Sequence, residues 1–435
     1  MPKVFNLLSP RTPWRLFLCL HICCIEPSAA VQSADSLRGQ GRFCEAFGKT
    51  ALFAAPCDPK PVPLGPSPAC SRKELRKLGP FRALLSGKIP ADSPKYSARN
   101  RIFATMKDAV TLFSELGERL GSFGEDAASQ AVVGAAHAAN GWFQPEEIVR
   151  AVRTLADGML RRERLAAWVA AYPWLQQPHT ARNVLVVMAG NIPLVGFFDL
   201  LCVLVGGHRC LVKPSAKDRV LMEYVVAQLR AIDPSVAVAL YEEGMAVDAV
   251  IATGSDNANR YFRSHYAGIP SLLRGSRQSV AVLSGSETPE QWAGLSDDIW
   301  AYSGLGCRNV SLLFLPQGLE PRLEMPHVNA KYRNNYLQQK ALLEMQGAPF
   351  VDLGSAVLVE QLAFPNALSR IACTHYDSLE EVAEWLAEHD AELQCVVTEC
   401  LPHSRRAAFG QAQSPSLTDY PDDRDVIAWL AALSG

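Results

Sequence analysis

Residues 183–218 read NVLVVMAGNIPLVGFFDLLCVLVGGHRCLVKPSAKD, and this stretch decides the fold. Asn183–Met188 is a short, unbroken apolar run, as expected of a strand buried on both faces. Ala189-Gly190-Asn191-Ile192-Pro193 carries the residues of a turn. Leu194–Val205 is apolar throughout and long enough for a helix, and Gly206-Gly207 stops it. Arg209–Lys213 is a second strand, and Asp218 opens a helix that runs to Ile232.

The alternation continues outward. Val247–Ala252 reads as a third strand closed by Thr253-Gly254-Ser255, Asn257–His265 as a helix and Ser279–Leu283 as a strand. Strand–helix–strand alternation implies parallel strands joined by right-handed crossovers, hence a Rossmann-like doubly wound α/β domain. Upstream, Asp108–Leu120 and Pro145–Val169 repeat apolar residues at helical spacing. Downstream, Val310–Leu315, Ala356–Glu360, Arg370–Thr374 and Leu393–Thr398 read as strands, and Ser378-Leu-Glu-Glu381 starts a helix with a capping box. Asp423–Leu433 is a short helix. The expected division is an extension over 1–102, a cofactor domain over 103–283, a catalytic domain over 284–401 and a C-terminal segment over 402–435.

Composition bounds the function. The 435 residues are 49% hydrophobic and 20% charged, too apolar for a disordered chain. A net charge of −2 argues against a general nucleic-acid binder, which usually shows a basic face. No uncharged apolar run reaches the roughly 18–20 residues of a spanning helix. Of the 12 cysteines, none forms a C-x-x-C pair or a zinc-spaced cluster, so neither a metal site nor a disulfide framework is expected and the body fits a reducing, cytoplasmic setting. Residues 1–102 are Pro-, Ser-, Arg- and Cys-rich. Leu16–Ile25, after Arg11 and Arg15 and before Ser28-Ala29-Ala30, has the form of a signal peptide. Three origins compete for this extension: an export signal, a tail, or a start misassigned ahead of Met106. We expect a disordered or non-native extension.

Four short segments could carry chemistry. Gly304-Leu305-Gly306-Cys307-Arg308-Asn309 places a cysteine in a Gly-rich turn before a strand, where backbone can approach a substrate and Arg308 would favour a thiolate. A buried loop cysteine would show the same pattern. Lys213, with Ser215 in Lys213-Pro-Ser215, stands at a strand end facing the crevice of an open sheet, though a solvated lysine fits equally. Thr253-Gly254-Ser255 precedes a helix N-terminus that could receive phosphate, or it is an ordinary capped turn. Asn191 could donate its amide to an oxyanion, or simply form the turn.

Taken in order, these segments resemble the aldehyde dehydrogenase superfamily, and more closely the acyl-CoA reductases of the LuxC (fatty acid reductase) type. The blocks that carry the resemblance are MAGNIPLVGFFDLLCVLVGGH (188–208), DAVIATGSDNANRYF (248–262), SVAVLSGSET (279–288), GLGCRNVS (304–311), NAKYRNNY (329–336) and GQAQSPSL (410–417). The likeness covers roughly 103–435. It implies an aldehyde-dehydrogenase-like fold and a homo-oligomer. It makes Cys307 the nucleophile that takes an acyl group from acyl-CoA or an acyl-carrier thioester. Asn191, with the Cys307 backbone N–H, becomes the oxyanion hole. Lys213 and Ser215 become the adenosine-ribose site, and Thr253, Gly254 and Ser255 the pyrophosphate turn of NADP (NADPH), with NAD as the other cofactor such a lysine serves.

The sequence departs from ordinary aldehyde dehydrogenases at two places. Where they carry a water-activating glutamate, this chain reads Arg274-Gly-Ser-Arg277-Gln278-Ser279. Lacking that base, hydrolysis of an acyl-enzyme is expected to be slow, which favours thioester reduction over a CoA-independent aldehyde dehydrogenase or a non-enzymatic binding subunit. The glutamate expected on the nicotinamide ribose, four residues before Pro365, is Gln361 here, with Glu360 one residue earlier.

Overall fold

The computed structural model describes residues 105–326 and 328–433. The expectation for 1–102 lies outside the described residues. Four helices come first: α1 (Thr105–Gly121), α2 (Ala127–Ala139), α3 (Pro145–Gly158) and α4 (Arg162–Ala170). Then follow β1 (Asn183–Val187), α5 (Phe197–Val205), β2 (Arg209–Lys213), α6 (Arg219–Ile232), β3 (Val238–Leu240), β4 (Ala249–Thr253), α7 (Asp256–His265) and β5 (Ser271–Arg274), strands and helices alternating except that β3 runs on to β4 through a loop. They build a five-stranded parallel sheet of order β3-β2-β1-β4-β5. Val184, Leu185 and Val186 of β1 and Ala249–Ala252 of β4 are fully buried, because helices cover both faces. One face packs with α1–α6 into a single apolar cluster.

The second sheet has seven strands. In chain order its elements are β6 (Gln278–Val282), α8 (Pro289–Trp300), β7 (Val310–Pro316), α9 (Ala330–Gln346), β8 (Val351–Asp352), β9 (Val357–Glu360), β10 (Arg370–Tyr376), α10 (Leu379–Glu388), β11 (Leu393–Thr398) and β12 (Arg406–Ala407). The order is β12-β11-β6-β7-β10-β9-β8, parallel except for β8 against β9. A final helix, α11 (Val426–Ala432), buries Val426, Ile427 and Leu430 in the core of the first sheet.

Three readings are corrected. The strand at 279–283 pairs with β7 and β11, so the two sheets part between Arg274 and Gln278, not at residue 283. The first crossover helix starts at Phe197, not Leu194, because residues 191–196 form turns and Leu194 takes a left-handed φ of 57°. Ser378 accepts the Glu381 N–H at 3.3 Å, while the full capping box belongs to Thr288 and Gln291 at the start of α8.

Candidate active site

A cavity of about 650 Å³ lies where the first sheet reverses its order, between β1 and β4. Open α/β sheets bind ligands at this position, because the loops on either side of the reversal diverge. The turn after β1 contributes Asn191, the turn after β4 contributes Thr253, Gly254 and Ser255, and the end of β5 contributes Arg274. The opposite wall carries Tyr302, Gly306, Cys307 and Arg308, and residues 413–422 close the side.

The cysteine loop is built from an unusual backbone. Tyr302, Ser303 and Gly304 hold φ of 53°, 58° and 66° in succession. For the two non-glycine residues this costs about 1–2 kcal/mol each. Side chains on all sides impose it. Asn309 is buried; its Oδ1 accepts the Gly306 N–H at 2.8 Å and its Nδ2 donates to the carbonyls of Asp298, Ile299 and Ala301 at 2.9–3.1 Å. Ser279 of β6 donates to the Cys307 carbonyl at 2.9 Å, and Asn329 donates to the Ser303 hydroxyl at 2.7 Å. Glu147 of α3 accepts from the backbone N–H groups of Tyr302 and Ser303, and burial pushes its carboxyl up to about 7. Arg150, one helical turn on, is ion-paired with Asp297 and lies 5.8 Å from the Tyr302 ring centroid.

Cys307 is exposed to the cavity, whereas Cys202, Cys210, Cys373 and Cys395 are buried. Protein flanking the thiol still raises its pKa by desolvation; Arg308 is the main opposing influence, and Asp422 adds to the rise. Arg308 thus favours the thiolate in direction, as its place beside the cysteine implied, but burial outweighs it. Its Nε is spent on the Ala412 carbonyl at 2.5 Å.

Asn191 is half-buried, and its Nδ2 donates to the Leu305 carbonyl at 2.7 Å, in the cysteine loop. The other cofactor candidates divide. Ser215, Thr253, Gly254 and Ser255 line the cavity. Ser255 caps α7 by accepting the Ala258 N–H. A Cβ at Gly254 would meet that of Ala258 at 2.9 Å, and one at Gly190 would meet Ser215 at 2.6 Å, so both turns need glycine for close approach. Lys213 is not on the cavity wall; its ammonium sits 5.7 Å from the Tyr241 ring centroid. Lys217, four residues on, takes its place in the lining.

Sequence reasoning missed one feature outright. Asp199, in the otherwise apolar α5, takes both of its carboxylate bonds from Nη1 of Arg274, at 2.8 and 2.7 Å. Both residues are buried and both line the cavity. The signal was there: a lone carboxylate in FFDLLCVLV requires a buried partner. Nε and Nη2 of Arg274, and Oδ1 of Asn191, are buried without a hydrogen-bond partner. Such groups are normally satisfied, so orphans on a cavity wall point to a polar ligand. Among the described residues no cluster of His, Cys, Asp and Glu could hold a metal ion, and no helix is long and apolar enough to cross a membrane.

Comparison with known families matches residues 126–332 to the family described as Acyl-CoA reductase (LuxC). The solved structure of bifunctional proline utilization A (PutA) protein superposes with a TM-score of 0.50 at 14% identity, covering 78% of this chain and 39% of that one. Aldehyde dehydrogenase from Bacillus cereus, solved as its NAD+ complex, gives 0.47 at 15% identity over 69% and 74%. A putative aldehyde dehydrogenase from Burkholderia cenocepacia gives 0.46 at 13% identity over 70% and 79%. No curated protein matches the chain. The fold is α/β, as the sequence implied, and is similar to that of the PutA structure.

Proposed function

We propose, from the premise that residues 126–332 match the acyl-CoA reductase (LuxC) family, that the chain reduces a fatty acyl thioester to the aldehyde with NADPH, the acyl group passing through Cys307. The observation that carries this reading is the convergence of Cys307 and Asn191 with the strand-end turns of β2 and β4 on one cavity.

The residues fit a nicotinamide dinucleotide. Gly190 and Gly254 keep the turns open to close backbone approach, and the capped N-terminus of α7 favours phosphate. The β2 end carries Ser215 and Lys217 and no carboxylate from Lys213 to Lys217, which suits a 2′-phosphate and so NADP over NAD. Ser215, Lys217, Thr253, Gly254 and Ser255 would hold the dinucleotide, which when bound supplies the hydride.

The protein's own part is acyl transfer and orientation. The Cys307 sulfur attacks the thioester carbon, and the carrier sulfur leaves. Asn191 is fixed through one amide hydrogen on the Leu305 carbonyl. Its second hydrogen and the Cys307 backbone N–H are the donors for the oxyanion. Water activation needs a free carboxylate. Two of the three that line the cavity are held in ion pairs, Asp199 with Arg274 and Asp422 with Arg277 at 3.0 Å, and the third, the exposed Asp419, accepts the Ser416 N–H at 2.7 Å through one oxygen. This supports thioester reduction over aldehyde oxidation by water.

The test combines the purified chain with acyl-CoAs of several lengths and NADPH, following nicotinamide absorbance and aldehyde together. Acyl-dependent NADPH oxidation that vanishes in Cys307→Ser is the expected result. Folded protein that binds NADPH but turns over no acyl-CoA would overturn the reading.

A further inference from the structure

We propose that Asp218 is a positioning residue for the oxyanion donor: its buried carboxyl, on the loop after β2, clamps the turn after β1 and so fixes Asn191 against the cysteine loop. The role rests on the acyl-transfer reading of the same cavity, and it falls to a residue that is not on the cavity wall.

The turn over residues 191–196 is held at both ends. At one end Asn191 Nδ2 donates to the Leu305 carbonyl at 2.7 Å, and Ile192 packs against Ala151, Ala301 and Tyr302. At the other end Leu194 donates its N–H to Oδ2 of Asp218 at 3.0 Å, and its carbonyl accepts the Phe197 N–H at 2.9 Å. Leu194 makes these bonds at a left-handed φ of 57°. A residue with a side chain adopts that conformation at a cost, and keeps it only where its surroundings over-determine it.

Asp218 is 2% exposed. It stands at the N-cap of α6, yet its side chain makes no capping bond there and reaches across to Leu194 instead. Its Oδ1 has no hydrogen-bond partner, and burial pushes the carboxyl well above the usual carboxylate range. A buried acid with one oxygen unsatisfied is a poor choice for stability alone; what it supplies is the acceptor for Leu194. The base of the clamp is itself anchored. Met188 donates its N–H to the Lys213 carbonyl at 3.0 Å, and Asp218 donates its own N–H to the Ser215 carbonyl at 3.1 Å. An oxyanion donor acts only if it already stands where the charge develops, and this clamp keeps the turn that carries Asn191 in one place.

A p-nitrophenyl ester tests the role without CoA or dinucleotide. The Cys307 sulfur bonds to the ester carbonyl carbon, the bond from that carbon to oxygen breaks, and nitrophenolate leaves with the electron pair while the thiol proton passes to solvent. Nothing is oxidised or reduced. The burst of nitrophenolate from the full-length chain is expected to slow about 10–100-fold in Asp218→Ala, the penalty of a misplaced group. Alkylation of Cys307 by iodoacetamide, which forms no oxyanion, should stay within about twofold of wild type. Added to Asn191→Ala, which itself slows the burst, Asp218→Ala should cost nothing more, because both act through one amide. Asp218→Asn keeps an acceptor for Leu194 and should stay within about threefold of wild type. The proposal is overturned by a wild-type burst rate in Asp218→Ala, by alkylation that falls with the burst, or by a further loss in the Asn191→Ala background. A folded Asp218→Asn slowed more than about tenfold overturns it too, and decides the matter if Asp218→Ala does not fold. Acyl transfer from acyl-CoA to Cys307 is the separate arm: an ester burst that depends on Asp218, with no transfer from acyl-CoA, upholds the clamp and sinks the thioester reading.

Discussion

The Asn309 amide ties the Gly306 N–H and three carbonyls into one knot behind Cys307. Alanine there strands buried backbone groups, each costing about 1–3 kcal/mol. Asn309→Ala is therefore expected to lose on the order of 3 kcal/mol, read as a lower urea midpoint, and to slow Cys307 alkylation as the loop relaxes. Asn191→Ala should behave differently. It removes one oxyanion donor, so kcat is expected to fall about 10²–10³-fold with little change in the urea midpoint; a kcat within threefold of wild type would remove Asn191 from the proposed role. Cys307, Asn191 and the 253–255 turn could be singled out as candidates because glycine and turn residues punctuate apolar strands, and they line the cavity. Lys217 and Asp199 could not. Which lysine of a strand-end turn faces the crevice depends on how Ser215 packs against Gly190, and a charge pair joining residues 199 and 274 leaves no local pattern.

Among the elements, α3 supplies the titratable prop of the cysteine loop. The Glu147 carboxyl titrates near 7 in the folded chain against about 4.5 when unfolded. The folded state thus binds this proton more tightly, so its contribution to stability is greatest below about pH 4.5 and declines as pH rises to 7. Urea midpoints compared at pH 5 and pH 8 should show that decline in wild type and a smaller one in Glu147→Gln. Helix α8 offers a steric test. A Cβ at Gly294 would stand 2.8–2.9 Å from the backbone of Phe409 and Gly410. Backbone cannot swing aside, so Gly294→Ala should cost about 1–3 kcal/mol, seen in the same denaturation assay. The crossover units were readable because each strand is a short apolar run and the segment after it is either apolar at helix length, as in α5, or amphipathic, as in α6. The strands β3 and β5, three and four residues long, were not, since so short a run carries no period.

For the molecule as a whole, residues 418–432 tie the first sheet to the cavity. Trp168 donates to the Tyr420 hydroxyl at 2.9 Å, Tyr172 donates to Asp425 at 2.9 Å, and Val426, Ile427 and Leu430 are fully buried. Burying three such side chains contributes roughly 5–9 kcal/mol, comparable to the entire margin of a typical domain. A chain cut after Leu417 is expected to bind a hydrophobic dye or aggregate on purification; a soluble, cooperatively melting product would refute that weight. The sequence reading placed Ser279–Leu283 with the cofactor domain, whereas Gln278–Val282 pairs within the second sheet. A strand's sheet depends on its neighbours in space, and nothing within Gln278–Val282 distinguishes β6 from a sixth strand of the first sheet.

The Asp298 carboxylate accepts the Gly410 and Ala412 N–H groups, and Arg277 pairs with Asp422. The side of the cavity closed by residues 413–422 is thus made of residues synthesised more than a hundred positions after Cys307. At about 5–20 residues per second of translation, the ribosome takes on the order of ten seconds to supply it. During that interval the nascent chain carries its cysteine on an unfinished loop, open to oxidants and to chaperones alike, and no intermediate of synthesis can begin turnover before the pocket is whole.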